Sequence, residues 1–161
     1  MQTLWENVKT ANTNDEKGKA LENWAIEMFN IIDGINVEEK NIKTESEEID
    51  IILSNDKNGT FWKSIDDPIL VECKNWQDKV GVREIAHFFV KLLRRQLKKG
   101  IFITVNGITG NEYRDAIGTI LDLRTLGYRI IVMDEQDIID INACTHPTDK
   151  IREKYYALFK S

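Results

Sequence analysis

Cysteine is scarce in this chain: Cys73 and Cys144 are the only two, and they do not form a CxxC spacing. That excludes a disulfide framework and a cysteine zinc cluster, and two reduced thiols are the expected state. Histidine is as rare. His87 and His146 stand far apart, so a histidine metal site and a Ser-His-Asp triad both lack support. Two prolines in 161 residues argue against long irregular linkers. No apolar run approaches the roughly 20 residues needed to span a bilayer. The opening stretch from Met1 to Glu6 has no basic region followed by an apolar one, so no secretory signal is read there. A cytoplasmic protein without a membrane partner is the expectation. P-loop and GxGxxG patterns are missing, as are internal repeats.

The residues that are present describe a globular chain. Hydrophobic residues make up 42% and charged residues 30%, which suits one ordinary domain over residues 1–161, long enough to bury a core. The net charge of −5 at first speaks against a nucleic-acid partner. Binding, however, follows local fields rather than the global sum. Arg83, Lys91, Arg94, Arg95, Lys98 and Lys99 fall within one short stretch against Glu84 alone, while Glu45, Glu47, Glu48 and Asp50 gather elsewhere. The chain is electrically polarised.

Periodicity orders the elements. Thr13 with Glu16 fits a capping box opening a helix from about Asn14 to Asp33, with Gly34 as its stop. Leu21, Trp24, Ala25, Met28, Phe29 and Ile32 recur at helical spacing. Strands are predicted at Asn36 to Lys43, Glu48 to Leu53 and Ile69 to Lys74, with a turn over Asn55 to Gly59. A second helix runs from near Gly81 to Gly100 with a stripe of Ile85, Phe88, Phe89, Leu92, Leu93 and Leu97. Ile101 to Val105 reads as a buried strand. Thr109 with Glu112 opens a third helix closing at Gly127, and Arg129 to Met133 is a further strand. Helices are expected at Asp134 to Ile141 and Asp149 to Ser161. The order α-β-β-β-α-β-α-β predicts an α/β fold, a mixed central sheet flanked by helices. Its core is about 14–133, and 134–161 are C-terminal helical additions.

Two strand ends carry polar groups that a buried strand does not otherwise hold. In Ile49-Asp50-Ile51 an acid is bracketed by isoleucines. In Val71-Glu72-Cys73-Lys74 a glutamate and a lysine lie two apart, so they share a face while Cys73 points to the other layer. On neighbouring strands, Asp50 and Glu72 would repel unless one were protonated or a cation sat between them. An oxygen-preferring ion such as Mg²⁺ suits that pair. Lys74 could then orient a water or stabilise charge on a phosphate. The plainer reading is a Glu72–Lys74 salt bridge with Asp50 capping a turn.

The helix, the Ile-Asp-Ile strand, the Val-Glu-Cys-Lys strand and the basic helix after it resemble the PD-(D/E)XK, or restriction-endonuclease-like, nucleases. The nearest likeness is to their Mrr-like and Holliday-junction-resolvase-like branches, over roughly Gly18 to Met133. The resemblance implies an αβββαβ core and a metal-dependent endonuclease hydrolysing phosphodiester bonds in DNA, as the effector domain of a defence or restriction system. It implies that Asp50 and Glu72 bind Mg²⁺ or Mn²⁺ with the backbone carbonyl of Cys73, and that Lys74 handles the nucleophilic water. Glu22 matches the acid many relatives carry on the first helix. Asn75 and Trp76 follow the motif as polar and aromatic residues do in Mrr-like relatives. Two departures stand out: no proline precedes Asp50, and Thr44 to Glu48 replaces the glycine-rich approach of the Mrr-like branch. A nucleic-acid-binding or assembly module of the same fold without turnover is the alternative function.

Arg94, Arg95, Lys98 and Lys99 are the candidates for contact with the DNA backbone, although cations near a helix C-terminus also complement its dipole. Asn106, Thr104 and Thr109 follow a strand and could line the same sheet edge. Trp24 and Trp76 are assigned to core packing and His87 to an ordinary helix position. A core of this size leaves little room for a separate recognition domain, which points to a homodimer or one piece of a larger multidomain protein.

Overall fold

The computed structural model describes residues 1–45, 47–110 and 115–160. Five strands form one sheet: β1 (Ile35–Lys43), β2 (Glu48–Asn55), β3 (Ile69–Lys74), β4 (Lys99–Thr104) and β5 (Arg129–Met133), side by side in chain order. The β1–β2 and β2–β3 pairs are antiparallel, whereas the β3–β4 and β4–β5 pairs are parallel. The sheet is therefore mixed, as the order of elements predicts. The helices are α1 (Gln2–Thr10), α2 (Asn14–Asn30), α3 (Gly59–Trp62), α4 (Val82–Arg94), α5 (Ala116–Thr125), α6 (Glu135–Asn142) and α7 (Pro147–Ala157).

Alternation along β3 divides the core. Ile69, Val71 and Cys73 face a cluster built on Leu21, Trp24, Met28 and Phe29 of α2. That cluster extends to Trp5 and Val8 of α1 and to Ile138, Ile151 and Tyr155 of α6 and α7. Leu70 faces the second cluster, with Ile85, Phe88 and Leu92 of α4, Phe102 of β4 and Ile120 of α5. Glu72 and Lys74 have the parity of Leu70 and so lie on the α4 side.

The helix ends differ from the sequence expectation in an informative way. α5 stops as expected at Gly127, whose φ is 85°. The amides of Tyr128 and Gly127 close back on the carbonyls of Leu123 and Arg124, a Schellman arrangement. α4 ends by the same device at Gln96, with φ 58°. Leu97 donates to Leu92 and Gln96 to Leu93, each at 3.0 Å. The helix thus stops at Arg94 rather than at Gly100. Gly100 lies on β4 instead, where a Cβ would stand 2.7 Å from Phe88; its bareness lets α4 approach the sheet. Lys98 precedes β4 and Lys99 opens it, so neither belongs to the basic helix.

Two short helices, α1 and α3, have no counterpart in the sequence expectation. The capping box of Thr13 and Glu16 is present as read. Thr109 accepts the amide of Ala116 at 3.2 Å, and α5 is capped by Asp115. The expected partner Glu112 lies outside the described residues.

Candidate active site

The polar strand ends meet where β2 and β3 emerge from the sheet. Ile51 pairs with Val71 at the end of the β2–β3 ladder; Asp50 and Glu72 are the next residues of the two strands, and both line one cleft. Both acids are buried, at 7% and 6% relative exposure. Oδ2 of Asp50 accepts the amide of Cys73 at 2.7 Å. That bond ties the first strand end to the backbone of the second. The Cys73 thiol is buried on the α2 side, where burial pushes it well above its usual range.

Glu72 is held by two ammonium groups. Lys74 approaches Oε1 at 2.7 Å and Lys91, from α4, approaches Oε2 at 2.5 Å. Burial and the negative charge of Glu72 raise the Asp50 carboxyl from 3.8 to about 6, against the pull of Lys74 and the Cys73 amide. For Lys74, burial acts downward, but the charges of Glu72 and Asp50 outweigh it and the net shift is upward.

A cleft of about 570 Å³ opens on the α4 side over Asp50, Glu72 and Lys74, with Arg83, His87, Lys91 and Arg94 on its helical wall. A second cleft, of about 440 Å³, reaches Asp50 and Lys74 from the α2 side and includes Glu22 and Asn41. Glu22 is thus brought to the same strand ends from the opposite layer. Burial pushes its carboxyl up, while a hydrogen bond with Asn41 acts the other way. Asn41 adopts φ 52° on β1.

The basic candidates separate. Arg95 and Arg94 pair with Glu47 at 2.8 and 3.5 Å, and Arg94 also lines the larger cleft. Lys99 pairs with Asp66 at 3.3 Å. Lys98 places its ammonium 3.9 Å from the centre of the Tyr128 ring. Both lysines stand at the start of β4, whereas Thr104 at its other end pairs with Lys74. Five strand steps put them roughly 16 Å from the site end.

For three residues the structure departs from the sequence expectation or adds to it. Trp76 is 45% exposed rather than core. It follows the last residue of β3 and borders both clefts, and its carbonyl accepts a hydrogen bond from Asn106. His87 borders the larger cleft. Lys91 was read only as part of a charge run. Its signal was available: it lies three residues after Phe88 and one before Leu92, inside the buried stripe, where an unpaired lysine is rare. Thr104 is buried.

No group of three His, Cys, Asp or Glu side chains forms a ready metal cage among the described residues. The donor set is two carboxylates plus the Cys73 peptide. That fits Mg²⁺, which takes one or two carboxylates and completes its shell with water and phosphate oxygen. The raised Asp50 carboxyl fits too, since two close acids favour either a proton or a cation.

The chain is similar to known proteins in sequence and in fold. The Mrr_cat family model, a restriction endonuclease domain, matches residues 14–141. A 67-residue stretch is 36% identical to the type IV methyl-directed restriction enzyme EcoKMrr of Escherichia coli (strain K12), covering 42% of this chain and 20% of that enzyme. The DNA modification-dependent restriction endonuclease AspBHI superposes with a TM-score of 0.59 at 16% identity, over 99% of this chain and 39% of that one. This second likeness concerns the fold. The chain spans well under half the length of both proteins. The family match runs from α2 through the strands of Asp50, Glu72 and Lys74 into α6, and the chain belongs to the Mrr_cat restriction endonuclease family.

Proposed function

We propose that this chain is a metal-dependent endonuclease domain that hydrolyses phosphodiester bonds in DNA, with its centre at Asp50, Glu72 and Lys74. The carrying observation is the meeting of two buried acids from adjacent strands, with Lys74 2.7 Å from Glu72, at the floor of a cleft open to solvent. Asp50, Glu72 and the Cys73 carbonyl would hold Mg²⁺ or Mn²⁺. When bound, such an ion polarises a phosphoryl oxygen and lowers the pKa of water. Asp50 is oriented by the Cys73 amide, so its free oxygen is fixed in direction. The Lys74 ammonium sits on the cleft side of Glu72, where it stabilises negative charge that builds on the phosphate. Glu22 adds an acid from the second cleft. Arg94, on the cleft wall, would contact the DNA backbone, with Arg95 beside it.

The domain would serve as the effector of a restriction or defence system, with target recognition in other segments or in a second copy. The test is incubation with supercoiled, linear, branched and single-stranded DNA, and with RNA, in Mg²⁺, Mn²⁺ or EDTA. Cleavage of DNA that EDTA stops supports the reading. DNA binding without cleavage in either metal assigns the chain to the non-catalytic alternative.

A further inference from the structure

Lys91 has no part in the metal-and-lysine centre just described, yet it makes the shortest ion pair there. Its ammonium stands 2.5 Å from Oε2 of Glu72, with side chains only 10% and 8% exposed. Glu72 already has Lys74 on its other oxygen. Burying a second ammonium costs solvation that one carboxylate only partly offsets. The centre balances only when Asp50 is counted: two acids, two lysines, no net charge. A lysine that served the helix alone would extend its tip to solvent, as lysines on half-buried faces do. This one turns inward from α4 onto the sheet.

We infer that Lys91 is the resident counter-cation of Glu72, which a divalent ion must displace to enter, and that it thereby sets the affinity of the centre for metal. The inference rests on the metal-site reading above. A divalent ion entering the balanced centre leaves an excess of two positive charges. Displacing Lys91 from Oε2 frees that oxygen and turns the ammonium toward the cleft it borders. There, an anionic phosphodiester restores part of the balance. Metal and DNA are then expected to favour each other's binding reciprocally.

The experiment is calorimetric titration of Mn²⁺ and Mg²⁺, paired with thermal unfolding in EDTA and in each metal. It compares the wild type with Lys91→Met, Lys91→Gln and Lys91→Arg. Lys91→Met keeps the apolar stem and removes the charge, and Lys91→Gln keeps a donor to Glu72. Both neutral variants are expected to bind metal at least about tenfold more tightly, since a like charge a few ångströms away is removed. Both should melt lower than wild type in EDTA and recover most of that loss in Mn²⁺. Lys91→Arg keeps the charge and should bind metal nearly as the wild type does. Unchanged or weaker affinity in the neutral variants, or a loss of stability that metal does not reverse, would make Lys91 a structural brace and overturn the inference. If Lys91→Met does not fold, Lys91→Gln decides by the same readings. Absence of binding in the wild type and in every variant instead rejects the metal reading itself.

Discussion

The backbone amide of Cys73 donates a 2.7 Å hydrogen bond to Oδ2 of Asp50 across the end of the β2–β3 pair. This one bond fixes an acid that burial and Glu72 otherwise disfavour in its charged form. The Asp50 carboxyl is raised from 3.8 to about 6. The native state therefore holds that proton more tightly than the unfolded chain does. The stability contribution is complete below pH 3.8 and is lost as pH rises through about 6. At pH 7 the ionised form costs up to about 3 kcal/mol. Asp50→Asn keeps an acceptor for the Cys73 amide and carries no charge. In EDTA it should melt several degrees higher than wild type at pH 7.5 and close to it at pH 4. Thermal unfolding across that range checks this, and an advantage independent of pH would contradict it.

Lys74 should matter to chemistry more than to binding. Lys74→Ala removes an ammonium 2.7 Å from Glu72. DNA affinity should change little, while single-turnover cleavage should fall on the order of a hundredfold or more, as for loss of one electrostatic stabiliser. If Lys74 only neutralises Glu72 for folding, the melting temperature falls and the rate per folded molecule stays unchanged.

The basic candidates make separable predictions. Arg94→Gln should reduce the slope of log affinity against log salt by about 1, as for one lost phosphate contact. Lys99→Gln should leave that slope alone, because Lys99 is engaged by Asp66 at the far end of β4. Glu47→Gln should strengthen salt-sensitive DNA binding, since Glu47 neutralises Arg95 and Arg94. Fluorescence anisotropy at several salt concentrations distinguishes these; equal slopes for Arg94→Gln and wild type would remove Arg94 from the interface.

Trp76 offers an intrinsic reporter. Trp5, Trp24 and Trp62 are buried, whereas Trp76 is 45% exposed beside the larger cleft. DNA entering that cleft should quench or shift tryptophan emission in wild type and leave it largely unchanged in Trp76→Phe. A similar response in both would place the DNA elsewhere.

The strand ends that form the candidate site were more legible than the chain around them. An acid between isoleucines and a Glu-x-Lys ending an apolar strand break the rule that buried strands carry no charge, and both lie at the cleft floor. The α2 start was readable because Thr13 and Glu16 cap it with side chains. The end of α4 was not, because Gln96 takes the left-handed position usually given to glycine. That hid the departure of Lys98 and Lys99 from the helix. α1 has no side-chain cap at its start and buries only Trp5 and Val8, too little periodicity to reveal it. Lys91 was hidden for another reason. Its partner Glu72 is 19 residues away on another element, and only the packing of α4 over β3 brings them together.

The central claim, that Asp50 and Glu72 form a metal-dependent cleavage centre for DNA, is tested most directly by one assay. Wild type, Asp50→Asn and Glu72→Gln, each confirmed folded by thermal unfolding, are incubated with supercoiled and linear DNA in Mg²⁺, Mn²⁺ and EDTA. The expected result is cleavage by wild type in metal alone, and none by either variant. Cleavage that persists in EDTA, or at wild-type rate in Asp50→Asn, would contradict it.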